Sequence, residues 1–187
     1  MTKHVVFLNG YPKAGKDTFA ENVIKIARGR SYQAVAISSI DPIRELLRHA
    51  GVSSINKTPE YRKLLATVGS ALEEYNGFRT RHCAEWAAAF FSSHASGAFL
   101  IHMREPELIK RCRDLIHQLV PDAVVKTVFV DRFEAREAQQ SNEADAGVEG
   151  MTYDLTIKNN GSLSELFSQS ERFVSAIVQG LPLGCDL

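Results

Sequence analysis

The chain opens on Val5-Val6-Phe7-Leu8, a short apolar run closed by Asn9-Gly10. An unbroken run of this kind is the pattern of a strand buried on both faces, and it suggests a parallel sheet. From Lys16 the period changes: Phe19, Val23, Ile24 and Ala27 fall at helical spacing, and Arg28-Gly29-Arg30 supplies a basic last turn and a stop. Ala34-Val35-Ala36-Ile37 reads as a second strand, after which Asp41 is placed to cap, and Pro42 to open, a helix running to about Ala50. Two helical segments are expected between Thr58 and about Ser93. The first enters through Thr58-Pro59-Glu60-Tyr61, and Asn76-Gly77 breaks the run before Arg79 to Phe91 resumes it. No strand is read between Ile37 and Ala98. Ala98-Phe99-Leu100-Ile101 is the third strand, Glu105 to Leu119 a helix, Val124 to Val130 the fourth strand and Tyr153 to Ile157 a fifth with alternating apolar positions. Ser162 to about Gln179 is the last helix, with Ser162 and Glu165 at capping-box spacing.

Strands separated by helices predict an α/β fold, a doubly wound sheet with helices on both faces. At 187 residues the chain fits a single domain over 1–187. The polar, Gly-containing stretch from Gln139 to Thr152 reads as a mobile excursion between the last two strands. Lys plus Arg (22) balances Asp plus Glu (22), which removes the broad basic surface that nucleic acid or a membrane would need. Any anion must be bound locally. Cys83, Cys112 and Cys185 stand far apart with no C-x-x-C pair, so a reducing compartment is expected and the cytoplasm is the default location. Six apolar-rich residues, His4 to Asn9, are too few for a signal-peptide core, and no stretch approaches the roughly 20 apolar residues of a membrane span. The candidate assembly is a homodimer.

Between the first strand and the first helix lies Gly10-Tyr11-Pro12-Lys13-Ala14-Gly15-Lys16-Asp17-Thr18, the setting a phosphate-binding loop requires. Gly10 and Gly15 let the backbone curl with its N–H groups inward, the opening helix adds unpaired N–H groups, and Lys16 adds a full charge. Gly10, Lys13, Ala14, Gly15, Lys16, Asp17 and Thr18 are therefore the candidate cradle for ATP. Asp17 stands where Ser or Thr normally follows the lysine. Beside a triphosphate a carboxylate is repelled unless a cation stands between them, so Asp17 is expected to face Mg²⁺, directly or through water. The alternative makes it a first-turn residue complementing the helix dipole. His4, His49, His82, His94 and His117 show no zinc-binding spacing.

Gly-x4-Gly-Lys-Asp-Thr resembles the phosphate loop of the P-loop deoxynucleoside monophosphate kinases, and the Gly-Lys-Asp is similar also to animal-type phosphomevalonate kinases. Ser38-Ser39-Ile40-Asp41-Pro42-Ile43-Arg44 resembles that family's Ala-Asp-Pro-Leu-Lys segment. Tyr61-Arg62-Lys63-Leu64-Leu65 leading to Val68-Gly69-Ser70 resembles its Arg-x-x-Leu-Gln-x-x-Gly-Thr stretch. Trp86 follows at a comparable distance, and Asn159-Asn160-Gly161-Ser162-Leu163 matches its Asn-Asn-Gly-Ser-Leu signature. The likeness implies a three-layer αβα P-loop domain with a five-stranded parallel sheet, a helical acceptor-binding region over 39–95 and a lid over 131–152.

On that mapping Asp41, Arg44, Arg62 and Trp86 fall in the acceptor region, where arginines hold a monophosphate bidentately. The competing readings are a plain N-cap for Asp41, solvated helix charges for the arginines and core packing for Trp86. After the third strand the family shows Asp-x-Arg, whereas this chain has His102-Met103-Arg104. Arg104 is expected to neutralise the transferred group, and metal handling falls more heavily on Asp17. Arg132 and Arg136, four apart, would close over the phosphates from the lid, or else form an exposed face with Glu134 and Glu137. Asn159 and Asn160 would approach the adenine, or simply turn the chain into its last helix. The expected activity is transfer of the γ-phosphoryl of ATP to a (deoxy)nucleoside monophosphate, with Lys16, Asp17, Arg104, Arg132 and Arg136 stabilising charge. Its rivals are a kinase for another phosphate ester, such as phosphomevalonate, and an ATP-binding sensor without turnover.

Overall fold

Four consecutive side chains, Val5 to Leu8, are wholly shielded from solvent, which a strand achieves only when both faces of its sheet are covered. The computed structural model describes residues 2–52, 58–137, 148 and 150–181. Its strands are β1 (Lys3–Asn9), β2 (Ala34–Ser38), β3 (Gly97–His102), β4 (Ala123–Asp131) and β5 (Leu155–Lys158). Its helices are α1 (Lys16–Gly29), α2 (Asp41–His49), α3 (Pro59–Asn76), α4 (Phe78–Ser93), α5 (Pro106–Leu119), α6 (Phe133–Glu137) and α7 (Leu163–Gln179). The strands form one all-parallel sheet in the order β2-β3-β1-β4-β5. The expected α/β architecture, five parallel strands flanked by helices, is the one observed.

Alternation along the central strands divides the core. Val6 and Leu8 of β1, with Ala98 and Leu100 of β3, pack under Phe19 and Val23 of α1 and Phe173 and Ile177 of α7. Val5 and Phe7, with Phe99 and Ile101, meet Cys83 and Ala87 of α4 and Ile109 and Cys112 of α5. Phe7→Ala would open a hole at the centre of that second layer, costing about 3–5 kcal/mol. A third, smaller cluster of Ile43, Leu47 and Leu65 ties α2 to α3 between β2 and β3. The stripe that α1 buries runs Phe19, Val23, Ile26, Ala27; Ile24, which the spacing had placed inside, is half-buried because 3.6-residue periodicity carries it past the face.

Two helix starts follow their sequence signals. Thr58 accepts from the Tyr61 N–H at 3.3 Å before Pro59, and Ser162 and Glu165 form a reciprocal capping box, each such cap contributing about 1 kcal/mol. One departs. Asp41 is the first residue of α2 and Ile40 the cap position, with no side-chain cap bond. The Asp41 carboxylate reaches backward instead, accepting from the Ser38 N–H at 2.6 Å and pairing with Arg44. It braces the β2–α2 turn rather than capping the helix. β5 begins at Leu155, two residues later than expected, because Asp154 turns aside to accept from the Thr127 N–H and hydroxyl, both at 2.8 Å.

Of the expected mobile excursion, residues 139–147 and 149 lie outside the described residues, as do 53–57 of the acceptor region and Cys185. Val148 is fully buried and its carbonyl accepts from the Tyr153 hydroxyl at 2.9 Å. Among the described residues no helix is long and apolar enough to cross a membrane.

Candidate active site

In an open parallel sheet the crevice beyond the carboxyl ends of the strands, where the strand order reverses, is where ligands bind. Here β1 connects outward to β2 on one side while β4 lies against its other edge. A cleft of about 670 Å³ opens at that point. Every strand end reaches it: Leu8 from β1, Ser38 and Ser39 from β2, His102 to Arg104 from β3, Arg132 after β4 and Asn159 after β5.

The floor is the loop from Gly10 to Gly15. Gly10 has φ +141°, and a Cβ there would lie 2.4 Å from the Val130 carbonyl oxygen. Gly15, at φ +97°, would bring a Cβ to 2.3 Å from Asn159 Nδ2. Both positions therefore require glycine, for conformation and for space. Lys13 also adopts positive φ (65°) without being glycine, a strain of the kind that collects at ligand-binding loops. Gly15 offers no side chain to cap α1, so no side chain at the cap position competes with an anion for the positive end of the helix dipole. The expected inward display is incomplete at one point, since the Gly10 N–H donates to Asn9 Oδ1 at 2.7 Å.

Lys16 folds back over the loop and donates to the Gly10 and Tyr11 carbonyls at 2.6 and 2.8 Å. These two carbonyls hold its ammonium over the cradle. Asn159, nearly buried, locks the loop from the far side: its Nδ2 donates to the Ala14 carbonyl at 2.9 Å and its N–H to the Asp131 carbonyl at 2.7 Å. Asn160 does not line the cleft; its Oδ1 accepts from the Phe133 N–H at 2.7 Å and fixes the start of α6. Through that bond it joins the turn after β5 to the turn after β4.

Lys13, Gly15, Lys16, Asp17, Thr18, Arg44, Arg104, Arg132 and Asn159 of the expected site are brought together around the cleft. Gly10, Ala14 and Asp41 stand behind it and shape its wall. Arg62 is exposed on α3 and Trp86 is half-buried against the α4–α5 side of the core; neither lines the cleft. Arg136 pairs with Asp131 at 3.1 Å and borders a separate cavity of about 310 Å³ with Phe129, Val148 and Tyr153. Arg132 is paired with Glu134 at 2.6 Å.

Arg79 was not foreseen. It is 7% exposed, yet it lines the cleft opposite the loop. Its Nε donates to the Ser39 carbonyl at 3.3 Å, and its Nη2 to Ser39 Oγ and to Glu105 Oε1, both at 3.0 Å. Burial, the largest single influence, would raise the Glu105 carboxyl, but the Arg79 guanidinium and the nearby N–H donors together outweigh it and hold Glu105 below its ordinary range. Only the break at Asn76-Gly77 hinted at this residue, by placing an arginine in the first turn of a helix that re-enters the core.

His102 at the end of β3 is mostly buried. That burial, reinforced by Lys16 and Arg104, holds its imidazole below the ordinary histidine value against the opposing pull of Asp17 and Asp41. Its Nδ1 lies 3.6 Å from Asp17 Oδ1. The Asp17 carboxylate is otherwise open, its side chain 90% exposed at the rim of the cleft, with Thr18 lining the cleft beside it. Carboxylate and hydroxyl oxygens suit Mg²⁺; the imidazole nitrogen beside them does not.

No family model and no curated protein matches this sequence. Solved structures do match its architecture. The APS kinase of Mycobacterium tuberculosis in complex with AMPPNP and APS is similar at 14% identity over 95% of this chain and 98% of that one, with a TM-score of 0.55. APE1195 is similar at 13% identity over 95% and 97%, with a TM-score of 0.55. At such identity the likeness is one of fold, and it establishes a three-layer α/β fold shared with these structures.

Proposed function

We propose that the protein is a phosphotransferase that moves the γ-phosphoryl group of ATP to the phosphate of a (deoxy)nucleoside monophosphate. The observation that carries this reading is one cleft with a lysine-bearing loop on one side and an arginine cluster on the other, Arg44 paired there with Asp41 and Arg79 with Glu105. The glycine-shaped loop with Lys16 forms one wall, and Arg44, Arg79 and Arg104 form the other. The first wall suits a polyphosphate. The second suits a monophosphate dianion, because guanidinium forks match phosphate oxygens. The similarity in fold to a kinase with bound AMPPNP supports the nucleotide side of the reading. The nucleoside monophosphate as acceptor rests on the resemblance in sequence.

In such a reaction an acceptor phosphate oxygen forms a bond to the γ-phosphorus as the bond to the β,γ-bridging oxygen breaks, and ADP leaves with that electron pair. An ionised phosphate needs no strong general base, so positioning and charge stabilisation are the protein's part. Lys16 and the first turn of α1 hold the donor's phosphates. Arg104, on the second wall just past the end of β3, neutralises the transferring group, and Arg132 approaches from the β4 side. Mg²⁺ held at Asp17 and Thr18 would screen the carboxylate from the triphosphate and supply Lewis-acid stabilisation.

The test is ADP formation by the pure protein with ATP, Mg²⁺ and a panel of nucleoside and deoxynucleoside monophosphates, with phosphomevalonate in the same panel. Acceptor-dependent ADP, lost in a folded Lys16→Ala variant, is expected. A second reading, nucleotide binding without turnover, is favoured by His102 standing where the resembled family has an acidic residue. Tight ATP binding with no acceptor-dependent ADP across the panel would establish that reading in place of the first.

A further inference from the structure

β3 pairs with both its neighbours to its last residue, so that His102 stands level with Leu8 of β1 and Ser38 of β2. The backbone is fixed there on both sides, and the ring is delivered to the cleft floor beneath the first turn of α1. Asp17 meets it from above. Their separation of 3.6 Å is too long for a hydrogen bond, for which about 2.7–3.2 Å is usual. The two atoms are close without satisfying each other. On a six-coordinate ion with bonds of about 2.1 Å, adjacent ligand atoms are roughly 3.0 Å apart and opposite ones roughly 4.2 Å. The observed gap falls between these, and Asp17, being exposed, is free to close it.

We propose that His102 Nδ1 and the Asp17 carboxylate together select the divalent cation that accompanies the nucleotide, in favour of a dication that accepts imidazole nitrogen, Mn²⁺ or Co²⁺, over Mg²⁺. This rests on the nucleotide reading of the cleft, since a protein nitrogen, a carboxylate and phosphate oxygens must share the ion. Mg²⁺ demands oxygen and gains nothing from the ring, whereas first-row transition dications take nitrogen readily and bind mixed N,O sites more tightly along their series. Lys16 and Arg104 flank the pair, so a bare cation is disfavoured and the ion enters with the phosphates that offset those charges.

The experiment is pulsed electron paramagnetic resonance of the Mn²⁺–ADP complex of the whole protein, prepared with unlabelled and with ¹⁵N-labelled histidine. A ¹⁴N modulation that changes to ¹⁵N on labelling is expected. It should vanish in His102→Asp, whose Mn²⁺-over-Mg²⁺ preference with ADP should fall about tenfold or more. His102 is the one histidine lining the cleft among the described residues. Bound Mn²⁺–ADP without any histidine modulation would overturn the selection while leaving the nucleotide site standing. Modulation persisting in folded His102→Asp would overturn it likewise. Failure of ADP to bind, with or without metal, would remove the nucleotide reading and this inference with it. The labelled pair of wild-type samples decides the point even if the variant fails to fold.

Discussion

Replacing Glu73 tests the link between the α3–α4 turn and the cleft. Glu73 lies in the last turn of α3 at 6% exposure. Gly77, at φ +66°, ends α3 and starts α4 at once, so the first N–H groups of α4 have no cap from their own cap residue. Glu73 supplies one. Its Oε2 accepts from the Arg79 and Thr80 N–H groups at 2.9 and 3.1 Å, and its Oε1 from the Thr80 hydroxyl at 2.8 Å. Bonds to an ionised group contribute about 1.5–3 kcal/mol each, but they are not additive. Two of these share one oxygen. The Thr80 hydroxyl also has a second acceptor, the Gly77 carbonyl at 3.0 Å. The expected cost of Glu73→Ala is therefore about 3 kcal/mol, the two orphaned buried N–H groups contributing most. Glu73→Gln keeps one oxygen for both N–H groups, and its amide can donate to Thr80 Oγ while that hydroxyl turns to Gly77, so about 1 kcal/mol is expected. For a chain of this length the alanine variant should melt about 6–12 °C lower. The assay is urea unfolding with the slope held common, alongside the acceptor KM, because the same carboxylate anchors the turn of helix that carries Arg79. Glu73→Ala within about 0.5 kcal/mol of wild type, or Glu73→Gln as damaging as alanine, would refute the assigned bonding.

Gly15→Ala forces an L side chain to φ +97° and into Asn159 Nδ2; a loss of about 2–4 kcal/mol and of ATP binding by calorimetry is expected, and unchanged binding would contradict the cradle geometry. Arg79→Lys keeps the charge but loses the fork that spans Ser39 and Glu105, so acceptor KM should rise about tenfold or more with a smaller change in the KM for ATP; equal rises in both would place Arg79 outside the acceptor wall. His4 and His102 are each held below the ordinary 6.5, burial being the largest cause in both. The unfolded chain thus binds protons that the folded chain resists, so stability is full above about pH 6.5 and declines as pH falls below it toward the folded-state values. The lowered Glu105 and Asp154 carboxyls add a separate loss only below their ordinary 4.5 and 3.8. Melting temperature should therefore drop between about pH 7 and pH 5.5, less so in His4→Leu, and a level profile over that interval would refute the assignment.

What the chain shows on its face is what local chemistry decides. A glycine forced to positive φ, a threonine three residues before an N–H it caps, and a serine answered by Glu165 are written in adjacent positions, so the loop and helix starts were legible there. Sheet order was not: nothing in Val5–Leu8 says that Ala98–Ile101 rather than Ala34–Ile37 lies against it, because a fully buried strand offers the same apolar edge to any partner. The same limit explains the site. Arg62 and Arg79 are indistinguishable as arginines in helical segments, and the resemblance in sequence pointed to the first. What separates them is Glu73. By capping α4 from the preceding helix it turns the first turn of α4 inward, so that Arg79 is buried against Ser39 and Glu105 while Arg62 stays in solvent. The arginine wall proposed to hold the acceptor is thus positioned by a carboxylate that does not line the cleft. If the wall is so built, Glu73→Ala and Arg79→Lys should impair the acceptor KM non-additively, since the first already frees the side chain that the second alters. Additive losses in the double variant would mean that Arg79 is held by Ser39 and Glu105 alone.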